Sequence, residues 1–290
     1  MKARWYEEAE RLMNAHHPAE ISAEEAQERN RELTAQMVSK QITKKQAVHE
    51  RLENLVKAGV TFNNVTKQDV EFLHVYVGEA NSKVTGEIQH GQVMPDRVVC
   101  AGALDMLSVF TCPKGVPCAK DCYAGKGCCA FLYNKEVRMG NFLLWQGDPV
   151  RYEEECKRML RHYELVRINA DGDIPDQAYA DMIWRIVEAC PDTQFYFMTK
   201  QFRFVNDTIS RLGNYPANCV VMLSGWDEKW RPENPHGLPM YEATEGEIPE
   251  DANICNGNCG ACFLHGIGCF AMRSTGLADT CEKVYTPIRK

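Results

Sequence analysis

Cys112, Cys118 and Cys122 stand at C-x5-C-x3-C within T-C-P-K-G-V-P-C-A-K-D-C-Y-A-G-K-G-C-C, the stretch from Thr111 to Cys129. Gly125 and Gly127 break the stretch too often for a core helix or strand, so it reads as a loop. Three thiolates this close can hold three irons of a 4Fe-4S cluster and leave the fourth open to a small ligand or a fourth residue. The same three suit a tetrahedral zinc site, which needs one more protein ligand to be closed and structural. Spacing leaves both readings open, beside the plain one of reduced cysteines.

A second set lies near the other end. Cys255, Cys259 and Cys262 fall at C-x3-C-x2-C, with Cys269 and Cys281 beyond and Gly257, Gly260, Gly266 and Gly268 interleaved. Clustered cysteines in a reducing compartment point to metal or redox chemistry rather than disulfides. Cys255, Cys259, Cys262 and Cys269 are the expected ligands of an auxiliary site; the spacing assigns no role to Cys128, Cys129 or Cys281. Cys100, Cys156, Cys190 and Cys219 lie among apolar residues and read as small core side chains.

The elements that must position these groups alternate. Met106–Phe110 is a short apolar run leading into Cys112 and reads as a strand, with helices over Phe131–Trp145 and Arg151–Tyr163 after the loop. Strands over Leu165–Asn169, Thr193–Met198 and Cys219–Leu223 are separated by an amphipathic helix over Gln177–Cys190 and another near Phe204–Leu212. Such alternation indicates βαβ units and a parallel sheet. The expected fold class is therefore α/β, a partial parallel (β/α) barrel with an N-terminal helical region and a Cys-rich C-terminal tail.

Polar clusters follow each strand: the cysteine loop, Asn169 to Asp173, Thr199-Lys200, and Ser224 to Asp227. In parallel barrels and open parallel sheets that edge is where active sites form. Strand ends also need turn residues for their own sake, which suffices for Gly172 and Gly225. Asp173 has a second reading as the cap of the following helix, a role that Asp176 could fill equally well.

Residues 1–90 form the expected helical region. Ser22 with Glu25 and Thr43 with Gln46 have capping-box spacing, Leu52, Leu55 and Val56 make an apolar stripe, and Gly59 ends it. A third segment starts at Thr66, with Val70, Phe72, Leu73 and Val75 as buried positions. The helices serve as a cover or partner surface, or as a nucleic-acid-binding helix-turn-helix. Residues 78–97 read as a linker, 91–253 as the βα domain with 228–253 as a long loop, and 254–290 as the metal-binding tail.

At 290 residues with 33 Lys+Arg against 40 Asp+Glu, the chain can bury a sizeable core and carries a net charge of −7. That balance argues against a chain held to nucleic acid or membrane by charge alone. No apolar run reaches the roughly 18 residues of a membrane span, and the acidic N-terminus lacks a signal peptide's apolar stretch, so a cytoplasmic location is expected.

The order C-P-x4-C-x3-C-Y-A-x-K-G, then V-R-I-N-A-D-G-D, then P-D-T-Q-F-Y-F-M-T-K, then a glycine-rich C-x3-C-x2-C tail resembles the phage "gene product eighty-eight" family, over roughly Cys100 to Cys269. That family usually carries a histidine where this chain has Asn169, while Arg167, Gly172 and Asp173 are kept. The layout also resembles radical S-adenosylmethionine enzymes, with a three-cysteine loop after the first barrel strand and a Gly-acid pair after the second. Their usual C-x3-C-x2-C spacing occurs here in the tail, with too little chain after it to build a barrel. The resemblance implies an iron–sulfur enzyme of phage or mobile-element origin with one or two 4Fe-4S clusters and S-adenosylmethionine as a small-molecule cofactor. In it Gly172, Asp173, Asn169 and Ser224 would bind the cofactor, Asp173 accepting from its ammonium, with Asp173, Lys200 and Arg167 as catalytic groups. The alternative is a non-enzymatic protein folded by zinc or clusters that binds a partner or nucleic acid. Nucleophilic catalysis by one cysteine lacks a histidine in an identifiable partner motif.

Overall fold

The computed structural model describes residues 9–11, 18–79, 101–125, 127–226, 230–244 and 269–272. The chain divides into two compact units, residues 1–76 with 124–156, and residues 77–123 with 157–290.

The second unit is built on a sheet whose strands lie in chain order: β1 (Gly78–Glu79), β2 (Ala101–Leu104), β3 (Leu165–Ile168), β4 (Gln194–Thr199), β5 (Cys219–Trp226), β6 (Met240–Thr244) and β7 (Cys269–Met272). β1 runs antiparallel to β2, and every later pair is parallel. Sequential order means that each crossover steps the same way, with no reversal of direction inside the sheet. Register puts Ala101 beside Leu165, and Leu165, Tyr196 and Met222 pack with Ala101 in one buried cluster. The alternate positions Val166, Ile168, Phe195, Phe197, Val221 and Leu223 are also buried. Burial of both faces is why the strands read as continuous apolar runs rather than as alternations.

Helices α5 (Gln177–Ala189) and α6 (Phe202–Leu212) follow β3 and β4. Tyr179, Met182, Ile183 and Ile186 recur at helical spacing on α5 and are fully buried. Asp181 on α5 accepts from Gln177 Nε2 at 3.0 Å, Thr208 Oγ1 at 2.7 Å and Arg211 at 2.6 Å, which pins α6 to it. Burial raises the Asp181 carboxyl, but these bonds outweigh it and hold it below its usual value.

The first unit is helical: α1 (Ala23–Val38), α2 (Lys44–Lys57), α3 (Leu132–Gly147) and the part of α4 (Pro149–Leu160) up to Cys156. Ser22 caps α1 through Glu25 N–H, and Thr43 with Gln46 closes a capping box on α2. Leu52, Leu55 and Val56 are buried, and Gly59 ends the stripe with φ +74°. The segment from Thr66 forms turns, not a helix, yet buries Val70, Leu73 and Val75. Two ion pairs hold it together. His49 Nδ1 meets the buried Glu136 at 2.6 Å, while Glu155 accepts from Val75 N–H at 2.9 Å and meets His74 at 3.2 Å.

Four segments differ from the sequence reading. Met106–Phe110 is a buried turn, and the strand before the cysteine loop is Ala101–Leu104, small residues that periodicity does not flag. The expected linker begins with β1; its residues from 80 to 97 lie outside the described set. β5 continues through Ser224, Gly225 and Trp226 because β6 pairs with them, so Ser224 lies within a strand rather than in the turn after it. β6 itself falls inside the expected loop of 228–253.

Candidate functional site

β2, β3, β4 and β5 are mutually parallel, so their C-terminal ends share one edge of the sheet. There the chain after β2 is stitched to the chain after β3. Asn169 N–H donates to Leu104 O at 2.8 Å, Met106 N–H to Asp171 O at 3.1 Å, Asp171 N–H to Asp105 Oδ1 at 3.1 Å, and Asp173 N–H to Thr111 Oγ1 at 3.0 Å. Thr111 Oγ1 in turn donates to Leu107 O at 2.9 Å. Gly172 makes the approach feasible. It has φ +77°, and a β-carbon there would lie 2.6 Å from Met106 O.

Asp173 is the hub of this edge. Buried at 5 % exposure, it accepts from Thr199 Oγ1 and Ile174 N–H on Oδ1, and from Lys200 N–H at 2.9 Å on Oδ2. Burial raises its carboxyl above the usual value, opposed by the three hydrogen bonds and by the Lys200 charge. It is not the helix cap: Asp176 caps α5, accepting from Tyr179 N–H at 2.8 Å.

Lys200 Nζ donates to the buried Ser224 Oγ on the adjacent strand and lies 5.9 Å from the centre of the Trp226 ring. Asn169 follows β3 with φ +54°, a left-handed conformation that Asn tolerates better than most residues. Its side chain is 6 % exposed, and neither its amide nitrogen nor its oxygen has a hydrogen-bond partner.

Cys112, Cys118 and Cys122 are each partly buried on the loop after β2. Burial pushes the Cys112 thiol far above its ordinary range, and the negative charges of Asp173, Cys122 and Cys118 push further; only the Val109 backbone opposes them. Val109 holds φ +72°, an uncommon strain for a β-branched residue. The loop thus carries three thiols, and its Thr111 is bonded to Asp173 N–H. As they stand, no group of three or more His, Cys, Asp or Glu side chains among the described residues is arranged to hold a metal ion.

The edge thus collects the cysteine loop, Asn169, Gly172, Asp173 and Lys200, with Ser224 bonded to Lys200. Arg167 is set apart: it pairs in register with Ala103 and Tyr196, and at about 3.3 Å per residue it stands some four residues, about 13 Å, short of Lys200. Cys269 opens β7 in register with Tyr241, which itself pairs with Ser224. Cys255, Cys259, Cys262, Cys281 and Cys100 lie outside the described residues. Cys156 and Cys190 are buried, as their apolar neighbours indicate, and Cys219 is partly buried. Sequence reasoning missed Thr111 and Asp105 as the stitches of the two loops, and the signal was available as polar residues beside an otherwise apolar run.

Among the described residues no helix is long and apolar enough to cross a membrane. No curated protein and no solved structure matches the chain. The sequence does match the profile described as gene product 88 over residues 76–239, which is more than half of its 290 residues and takes in the cysteine loop, Asn169 to Asp173, Lys200 and Ser224. With the edge and its loops in place, that match assigns the chain to the phage gene product 88 family.

Proposed function

We propose that Cys112, Cys118 and Cys122 hold an iron–sulfur cluster at the C-terminal edge of a partial parallel barrel, and that the chain is a radical S-adenosylmethionine-like enzyme. The observation that carries this reading is positional: the loop of Cys112, Cys118 and Cys122 follows β2 at this edge, and Thr111 at its start accepts from Asp173 N–H at 3.0 Å. Metal binding there would release the thiol protons. The sequential strand order supports the barrel reading.

When bound, a cluster would supply the electron that cleaves the sulfonium bond of S-adenosylmethionine. The residues of this chain do the positioning. Gly172 lets the β3 turn lie against the chain that leads into Cys112. Asp173 fixes Thr199 and Lys200 at the neighbouring strand end and keeps lone-pair capacity for a cofactor ammonium. Asn169 and Ser224 offer an amide and a hydroxyl toward the cofactor, and Lys200 and Arg167 supply positive charge, Arg167 from a lower layer of the sheet. Cys255, Cys259, Cys262 and Cys269 would serve a second, auxiliary site.

The experiment is anaerobic purification followed by iron, sulfide and zinc analysis. Iron and sulfide in similar amounts support the proposal; stoichiometric zinc without sulfide overturns it in favour of a zinc-folded protein. Cys118→Ala should remove the metal of one site while the tail keeps its own. Loss of all metal from that single change, in a folded chain, means one shared site.

A further inference from the structure

We infer that Lys200, Ser224 and Asn169 form a subsite for an oxyanion, the carboxylate or phosphate head of a ligand, on the edge of the sheet. The inference needs no sulfur and holds whichever metal the cysteine loop takes.

Three donors stand at this end of the sheet, the Lys200 ammonium, the Ser224 hydroxyl and the Asn169 amide. Ser224 Oγ accepts from Lys200 Nζ, so the serine proton is directed to another acceptor. Ser224 is 3 % exposed, too deep for bulk water to be its ordinary partner. Helix α6 begins at Phe202, two residues after Lys200; its N-cap Gln201 donates its own N–H to Thr199 Oγ1 and makes no side-chain capping bond. The exposed N–H groups and dipole of that terminus favour negative charge. Of the buried carboxylates on this edge, Asp173 gives three acceptor sites to Thr199 Oγ1 and the N–H groups of Ile174 and Lys200, and Asp105 accepts from Asp171 N–H.

Asn169 is the independent observation. An amide 6 % exposed with neither end bonded leaves buried polar atoms unsatisfied, which folded proteins rarely tolerate without a ligand, ion or water. It follows Ile168, which pairs with Phe197, three residues before Lys200, and so stands at the same edge. An oxyanion there would accept from the Asn169 amide, the Ser224 hydroxyl and the Lys200 ammonium together, and charge-assisted bonds are the stronger kind. The Trp226 ring beside Lys200 gives the rest of such a ligand an apolar face.

The test titrates inorganic phosphate and, separately, acetate into the purified protein at constant ionic strength, following the Trp226 indole N–H signal assigned with Trp226→Phe. A saturable shift is expected, at least tenfold weaker in Lys200→Met and also weakened in Ser224→Ala. Lys114→Met, on an exposed lysine of the cysteine loop, should bind as the parent does. Tighter phosphate identifies a phosphate ester as the ligand class, and tighter acetate a carboxylate. A response of equal size with chloride means unselective anion association and overturns the site, as does parent-like affinity in a folded Lys200→Met. Should that variant not fold, Ser224→Ala decides, and undiminished binding in it overturns the site.

Discussion

The carboxylate of Asp173 accepts the backbone N–H of Lys200 at 2.9 Å, and this bond ties the end of β3 to the end of β4. A side chain that faces a backbone donor this way is fixed by the fold before any ligand arrives. Lys200 is thereby held where its ammonium reaches Ser224.

Asp173→Asn should therefore destabilise the protein, although Asn and Asp are near equals as helix caps. Asn keeps one acceptor, but its NH2 group would oppose either the Lys200 N–H or the Thr199 and Ile174 donors. An unmatched buried donor costs about 1–3 kcal/mol. Urea unfolding of the two proteins measures it, and equal midpoints would mean that the carboxylate does not hold the turn.

Gly172→Ala should be worse than a loss of flexibility. The left-handed backbone alone costs an L-residue about 1–2 kcal/mol, and the new methyl would meet Met106 O at 2.6 Å. Because that carbonyl belongs to the chain leading into Cys112, the thermal midpoint should fall by several degrees, and with it the loading of the cluster proposed above. An unchanged thermal midpoint would mean that the close approach does not hold the turn.

At Asn169 the backbone limits which side chains fit. The residue sits at φ +54°, where Asn and His are both enriched, so His can stand there without a change in the chain's path. Asn169→His should fold with stability close to the parent, whereas Asn169→Val should lose about 1–2 kcal/mol through left-handed strain. Calorimetric unfolding of the pair checks this, and a Val variant as stable as the His variant would contradict it.

The helical unit carries a pH dependence. Burial raises Glu155, but the bonds from His74 and Val75 N–H and the charge of Arg151 outweigh it and hold its carboxyl below the usual 4.5. A depressed acid adds stability above its unfolded value and loses it as pH falls through the folded one. The stability gap between the parent and Glu155→Gln should be full above the unfolded value of 4.5 and close as pH falls below it through the depressed folded value. Denaturation across that range tests it; a gap that stays constant down to acid pH assigns the effect to shape rather than charge.

Much of this was legible in the chain. α5 was clear because Tyr179, Met182, Ile183 and Ile186 repeat at helical spacing, and the caps Ser22 and Thr43 because their partners stand three residues on. The parallel order followed from alternation of elements. What escaped depended on tertiary pairing. Ala101–Leu104 is a strand only because β1 and β3 flank it, and Met106–Phe110 bends because Met106 N–H is taken by Asp171 O. Ser224 could not be read as a strand residue before β6 was known to pair with it. The grouping of Cys112 with Asp173 was foreseen as a shared edge, but the Thr111 bond that produces it was not.

β7 gives the far end of the chain a mechanical role. Cys269 to Met272 cover the side of β6 that would otherwise present a row of unpaired N–H and C=O groups, a template for pairing with another chain. A chain cut short before Cys269 would leave β6 as the last strand, and it should be expected to self-associate along that edge more readily than the full chain.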